Sequence, residues 1–220
     1  MQISFINNLN KILEKGEKRA LLISATGTGK TYASAFALRE NKPGRALFLV
    51  HREQIAKQAI ESYKKIFGET KTFGLLSGNS KEFEADFLFS TMQMMSKEDI
   101  FKKFKEDEFD IIVIDEAHRI GASSYQKIIQ YFKPKLLLGM TASPERTDGY
   151  DVYKEFNYNI ACEIRLKQAL EENFLCPFHY FGITDIEFDG ETIDENTELS
   201  DFSKLTCDER VNYIIKQIEF

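Results

Sequence analysis

The sequence predicts an α/β domain of three layers, a mainly parallel central sheet covered by helices on both faces. Three observations predict it. Short apolar runs at residues 20–23, 46–50, 87–89, 111–114 and 136–138 alternate with stretches of helical periodicity. The runs are continuously apolar, as strands buried on both faces of a parallel sheet must be. A Gly-rich segment, 24–31, follows the first run and precedes a helical stretch, which fits a strand-loop-helix unit of such a sheet.

Taken in order, Phe5, Ile6, Leu9, Ile12 and Leu13 recur at helical spacing, and Gly16 stands where that helix would stop. The strand at 20–23 leads into the Gly-rich segment. Residues 46–50 form a second strand, 52–66 a helix, and 87–89 a strand running into STMQMM at 90–95. Residues 111–114 are four β-branched side chains in succession, a strong strand signal. Ser123 and Gln126 read as a capping box for a helix over 125–132. The strand at 136–138 precedes TASPERTDG at 141–149. Beyond Gly149 the rhythm weakens to a helical stretch near 165–173 and a strand at 178–183. The acidic, polar residues 184–203 read as a linker or solvated hairpin. Thr206 and Glu209 form a second capping box, opening a helix to about Ile218. The expected organisation is therefore one domain over 1–182, followed at 183–220 by an acidic linker and a helix leading toward a further domain.

At 220 residues, 43% hydrophobic and 29% charged, the composition is that of an ordinary globular domain able to bury a sizeable core. The net charge of −6 is unevenly spread. Residues 183–220 hold 3 basic and 11 acidic side chains, leaving 26 basic and 24 acidic before them. The main body thus lacks the basic footprint of a static nucleic-acid clamp, although a motor that must release its track can use few phosphate contacts. Cys162, Cys176 and Cys207 are widely spaced and form no CxxC pair, which indicates neither a disulfide framework nor a zinc site. No run approaches the roughly 20 apolar residues of a membrane span, and the N-terminus is unlike a signal peptide. A cytoplasmic location is expected. The 19 Phe residues do not alternate with basic ones and read as core rather than as a stacking platform. Met92, Met94 and Met95 read as packing, and His179 as a structural histidine.

The segment following Ser24, Ala25-Thr26-Gly27-Thr28-Gly29-Lys30-Thr31, carries phosphate-binding chemistry. Gly27 and Gly29 can adopt backbone conformations closed to other residues. Successive amides can then turn onto phosphate oxygens at the positive end of the next helix. Lys30 would reach the β- and γ-phosphates of ATP, and the Thr31 hydroxyl would ligate Mg²⁺. A tight turn with an exposed lysine is the plain alternative, and the flanking strand and helix argue against it. Asp115, Glu116, Ala117 and His118 end the 111–114 strand about 85 residues later. Ligands of parallel sheets bind at the carboxyl ends of strands, so this pair should face the Gly-rich loop. Asp115 is assigned to the metal and Glu116 to the general base. Read alone, the pair would also suit a helix N-terminus.

ATGTGKT, DEAH and TAS, in this order and spacing, resemble motifs I, II and III of superfamily 2 helicases, near the DEAH-type branch that includes restriction-enzyme motor subunits. The likeness covers roughly residues 2–182 and implies a RecA-like phosphate-loop ATPase domain, the first of two motor domains. FLVHREQIAKQA at 48–59 is similar to motif Ia, and TASPERTDG to an extended motif III. The resemblance implies that Thr141 and Ser143 link nucleotide state to movement through His118. It further implies that His51, Arg52, Thr91 and Gln93 lie near the sugar-phosphate track, and that Gln2 matches an adenine-reading glutamine. The residues themselves leave plainer readings open: a solvated loop at His51 and Arg52, a helix cap at Thr91 and Gln93, an exposed helix residue at His118, and an ordinary first-turn residue at Gln2.

The expected function is a nucleic-acid-dependent ATPase of helicase or translocase type, acting on DNA ahead of RNA. The alternatives are an ATP-dependent nucleic-acid-binding switch and the motor subunit of a restriction system. Motif Ia, STMQMM and TAS have no use in a small-molecule kinase. A second RecA-like domain, supplying an arginine to the γ-phosphate, is the implied partner. Residues 1–220 alone are accordingly expected to bind nucleotide weakly and hydrolyse it slowly. Oligomeric state is open.

Overall fold

Continuous apolar runs become the centre of a seven-stranded sheet in the computed structural model, which describes residues 2–177 together with 187–188, 191–192, 212 and 215. The strands are β1 (Arg19–Ser24), β2 (Ala46–Val50), β3 (Phe73–Leu76), β4 (Phe87–Thr91), β5 (Ile111–Asp115), β6 (Leu136–Thr141) and β7 (Ile160–Ile164). They lie in the order β3-β4-β2-β5-β6-β1-β7, and every pairing is parallel. All carboxyl ends therefore open on one edge, where the motif-bearing loops begin.

Side chains alternate across a strand, and the two halves of each run build two separate cores. Ala20, Leu22, Phe48, Val50, Phe87, Phe89, Val113 and Leu138 face α1 (Gln2–Glu14), α2 (Lys30–Asn41) and α3 (Glu53–Phe67). Leu21, Ile23, Leu47, Leu49, Leu88, Ile112, Ile114 and Leu137 face the other layer: α4 (Met92–Met95), α5 (Glu98–Phe101), α6 (Ser123–Tyr131) and α7 (Val152–Glu155). Most of the described phenylalanines are packed into these cores, with Phe174 an exposed exception: Phe48 stacks on Phe89 at 5.2 Å, and Tyr63 meets Phe89 edge-on at 5.1 Å. Met92, Met94 and Met95 are buried in packing. Gly139, midway along β6, is pressed by the Phe156 ring, which stands 2.2 Å from where a Cβ would lie.

Several elements differ from the sequence reading. β3 and β7 fall where the sequence shows no apolar run; both are edge strands, and β7 is exposed at Ile160 and half-buried at Cys162. α6 begins at Ser123, with extended Ala122 as its cap residue, so no capping box forms. The Gln126 amide instead donates to the Ile120 carbonyl at 2.9 Å. α8 (Leu166–Glu171) is shorter than 165–173. A first compact unit spans 1–176. A second spans 177–220, and among its described residues β8 (Glu187–Phe188) pairs antiparallel with β9 (Glu191–Thr192). The strand expected at 178–183, His179, Cys207 and the Thr206/Glu209 capping box lie outside the described residues.

Candidate functional site

The Gly-rich turn is shaped by its own residues. Gly27 and Gly29 hold φ of +88° and +90°, a region costly for any residue with a Cβ. Ser24 Oγ and Thr28 Oγ1 lie 2.5 Å apart, and Thr28 donates to the Ala25 carbonyl at 2.7 Å. Gly29 caps α2 and supplies no side chain to its first turn, so no cap side chain competes there for the first-turn amides, the groups that bind anions at a helix N-terminus. Lys30 Nζ donates to the Ser24 and Ala25 carbonyls at 2.8 and 3.2 Å. One turn further, Ser34 Oγ donates to the Thr31 carbonyl at 2.8 Å and shares a 2.8 Å hydrogen bond with the buried Tyr63 hydroxyl of α3. The turn carrying Thr31 is thereby tied to its neighbouring helix.

Asp115 ends β5, and Glu116 follows in a left-handed conformation (φ 53°, ψ 48°). Such backbone is uncommon for glutamate and marks a site where geometry outranks local comfort. The Glu116 amide donates to Asp115 Oδ1 at 3.1 Å. Burial and the Glu116 charge push the Asp115 carboxyl above its usual range, offset in part by that amide and by Lys30. Burial likewise lowers Lys30, against the raising effect of Glu116 and Asp115. These opposite shifts describe charges taken partly out of water and facing each other across a cleft of about 340 Å³, bounded by Thr26, Gly27, Lys30, Thr31, Asp115 and Glu116. Ile55, Gln58, Ala59 and Ser62 of α3 close its side. Their i, i+3, i+4, i+7 spacing puts them on one helix face, a signal the sequence contains and the motif reading did not use. A hydroxyl and a carboxylate across an amide-lined turn are the hard oxygen donors a divalent cation takes, so these residues fit a magnesium nucleotide.

His118 bridges two motifs. Its Nδ1 lies 3.2 Å from Thr141 Oγ1 at the end of β6 and 3.2 Å from Glu116 Oε2. The Ser143 amide donates to Thr141 Oγ1 at 3.2 Å. Burial lowers the imidazole pKa, opposed by Glu116 and reinforced by Arg119 and Arg146. His118 thus touches both Glu116 and Thr141, and Ser143 joins the group through Thr141.

The residues assigned to the nucleic-acid track divide. His51, after β2, and Gln93, after β4, line one pocket of about 350 Å³ together with Arg119, Tyr125 and Arg146. Arg52 is the exposed cap residue of α3, and Thr91 is buried at the end of β4; neither lines that pocket. Gln2 stands beside the Gly-rich turn, its Nε2 3.9 Å from where a Gly29 Cβ would lie, and lines a further pocket with Ile3, Thr28 and Phe174.

Residues 1–146 match the family described as type III restriction enzyme, res subunit. The chain belongs to this family. Over 99% of its length this res-subunit family member is 30% identical to the type I restriction enzyme EcoAI endonuclease subunit of Escherichia coli, of which it spans 30%. Among solved structures, it is similar to a nuclease-deletion mutant of the type ISP restriction-modification enzyme LlaGI in complex with a DNA substrate mimic. That match has a TM-score of 0.61 and 21% identity, covering 79% of this chain and 20% of that one. It also resembles the Pyrococcus furiosus Hef helicase domain, with a TM-score of 0.57 and 23% identity over 70% of this chain and 36% of that one. These likenesses show the RecA-like helicase-domain fold that the motifs imply. Among the described residues no helix is long and apolar enough to cross a membrane.

Proposed function

We propose that this chain is the first motor domain of a superfamily 2 helicase or translocase, hydrolysing ATP with Mg²⁺ and acting on DNA. The observation that carries the reading is the convergence on one cleft of Lys30 and Thr31 from the β1–α2 turn with Asp115 and Glu116 from the end of β5. His118 then joins Glu116 to Thr141. In this reading Lys30 leaves the Ser24 and Ala25 carbonyls for the β- and γ-phosphates, and the turn's amides bind the remaining phosphate oxygens. Thr31 and Asp115 would hold Mg²⁺, which when bound neutralises charge developing on the phosphoryl oxygens. Glu116 accepts the proton of the attacking water. A neutral His118 steadies Glu116 and passes its position to Thr141 and Ser143, and Gln2 contacts the base. His51, Arg52, Thr91 and Gln93 lie along the nucleic-acid track.

DNA, rather than RNA, is favoured by the restriction-enzyme relatives and by the DNA mimic held by one structural neighbour. A second RecA-like domain closing the cleft, and a cytoplasmic setting, belong to the same reading. The family match equally suits the motor subunit of a restriction system; a strand-displacement or translocation assay separates unwinding and translocation from switching. The direct test is Glu116→Gln, whose amide keeps the shape of the side chain but cannot accept a proton. Mg-ATP should still bind by calorimetry, while steady-state hydrolysis falls by about 10²- to 10⁴-fold. Hydrolysis at the wild-type rate would move the base elsewhere.

A further inference from the structure

The loop that follows β6 is held from two sides. Its Arg146 donates to the His118 carbonyl, on the turn after β5, at 2.6 Å. Glu145, one residue earlier, reaches the other way, to Arg165 at the junction of β7 and α8. Arg165 Nη1 and Nη2 donate to Glu145 Oε2 and Oε1 at 2.9 and 2.6 Å, and a two-pronged pair of this kind fixes orientation as well as distance. The same guanidinium donates to Glu163 at 2.6 Å and to the Tyr153 hydroxyl of α7 at 3.1 Å, and that hydroxyl donates to Glu145 at 2.9 Å. Arg165 holds the Glu145 carboxyl down to about 2, so the pair is charged throughout the neutral range. Exposed ion pairs contribute little to stability, and these two side chains are 37% and 59% exposed. What the grip supplies is position.

Strand order says what is being positioned. β6 and β7 flank β1, whose carboxyl end is the Gly-rich turn, so the Glu145–Arg165 pair brackets that strand end. Beyond Arg165, α8 closes on left-handed Asn173 (φ 57°), and the Phe174 and Leu175 amides both donate to the Ala169 carbonyl, at 2.9 and 3.1 Å. The chain thereby turns back, and Leu175 packs with Ala25, Ile164 and Ala169, its Cδ2 3.0 Å from where a Gly27 Cβ would lie. A continuous series of contacts thus leads from the Gly-rich turn through α8, Arg165 and the loop after β6 to His118, which meets Glu116. We propose that Arg165 is a positioning residue for hydrolysis: by clamping Glu145 it fixes the loop after β6, keeps Arg146 on the His118 carbonyl, and so holds Glu116 in place as the base. The proposal rests on the motor reading and deepens it, assigning part of the turnover to a junction that none of the motifs includes.

The experiment measures Mg-ATP affinity by calorimetry, hydrolysis in a single turnover with protein in excess over radiolabelled ATP, and the His118 ring resonances by NMR. The proteins are the wild-type chain, Arg165→Gln, Glu145→Gln, the double variant, Arg165→Lys, and Glu163→Gln, which removes a partner of Arg165 that lies on β7 itself and bridges nothing. Arg165→Gln and Glu145→Gln should each slow turnover about tenfold, as a displaced catalytic group does, and leave Mg-ATP affinity within about twofold of wild type. The double variant should be no slower than either single one, because the two side chains act as one contact. Arg165→Lys, which keeps the charge and loses the two-pronged grip, should recover part of the rate. Both Gln variants of the pair should move the His118 resonances, and Glu163→Gln should change neither resonances nor rate. Should Arg165→Gln fail to fold, Glu145→Gln breaks the same contact from the loop side. A merely structural pair would lower the thermal midpoint and leave the His118 resonances and the turnover of folded protein as in wild type; that result, or additive slowing in the double variant, would overturn the clamp and leave the motor reading standing. Failure of the wild-type chain to bind Mg-ATP would overturn the motor reading, and the clamp with it.

Discussion

The Gly-rich turn and the pocket lined by His51, Gln93 and Arg119 sit on the same edge of one sheet and are built in opposite ways. The turn is assembled from eight consecutive residues that satisfy one another: Ser24 with Thr28, Thr28 with Ala25, Lys30 with Ser24 and Ala25. The pocket is lined by residues that follow four strands, and among the described residues neither the Arg119 guanidinium nor the Tyr125 hydroxyl has a hydrogen-bond or ion-pair partner. A site made within one turn is specified by local backbone conformation, so one substitution in that turn removes it. A site made by several strand ends is specified by the register of the sheet beneath it, so it fails when the scaffold fails or when one contributing group is removed.

The largest effect expected from this contrast is on the scaffold that both sites share. Gly139 pairs with Leu21 of β1 and Ile114 of β5, and Phe156 covers it. Gly139→Ala should destabilise the domain by about 1–3 kcal/mol through overpacking, measured as a lowered midpoint in denaturant. An unchanged midpoint would mean that Phe156 swings aside at no cost, and that the centre of the sheet is less constrained than described. Gly27→Ala acts on the turn alone. It places a Cβ at φ +88° and 3.0 Å from Leu175 Cδ2, a strain of about 1–2 kcal/mol, so nucleotide affinity should fall roughly tenfold with nucleic-acid binding unaltered. Equal losses of both ligands would show that the two regions are not separately specified.

The smallest effect is a titration. Burial holds the folded His118 below the usual imidazole value of 6.5, so an NMR titration should give a midpoint under that value. Because the folded pKa is the depressed one, the associated stability is present above the unfolded imidazole pKa and is lost as pH falls through the folded value. A midpoint above 6.5 would mean that the Glu116 charge outweighs burial, and that a charged rather than neutral His118 meets Thr141.

The same contrast decides what the sequence makes legible. β1, β2, β5 and β6 are readable because strands buried on both faces are continuous apolar runs. β3 carries Gly74 in its second position and β7 is only partly buried, so the two edges lack that signal. The Ser123/Gln126 pattern misleads because Ala122 already takes the extended cap conformation and Gln126 finds the Ile120 carbonyl. Lys30, Thr31, Asp115 and Glu116 are readable because their chemistry lies within contiguous motifs beside strands. Arg119 and Tyr125 are not, since nothing in their spacing reveals that β2, β4, β5 and β6 bring them to one wall. His51 and Gln93 reach that wall, but Arg52 and Thr91 do not line it, because a motif names a loop and only the backbone decides which of its side chains faces the cavity.

The central claim is that the β1–α2 turn and the end of β5 form a magnesium-nucleotide site. It is tested most directly by calorimetric titration of Mg-ATP into the wild-type chain and into Lys30→Ala, with circular dichroism to establish that both are folded. Lys30 is the cation that burial and the Asp115 and Glu116 carboxylates poise at the cleft, and its charge-assisted bonds to phosphate go with it. Saturable binding by wild type, abolished in folded Lys30→Ala, is the predicted result; wild-type affinity in the folded variant would contradict the account.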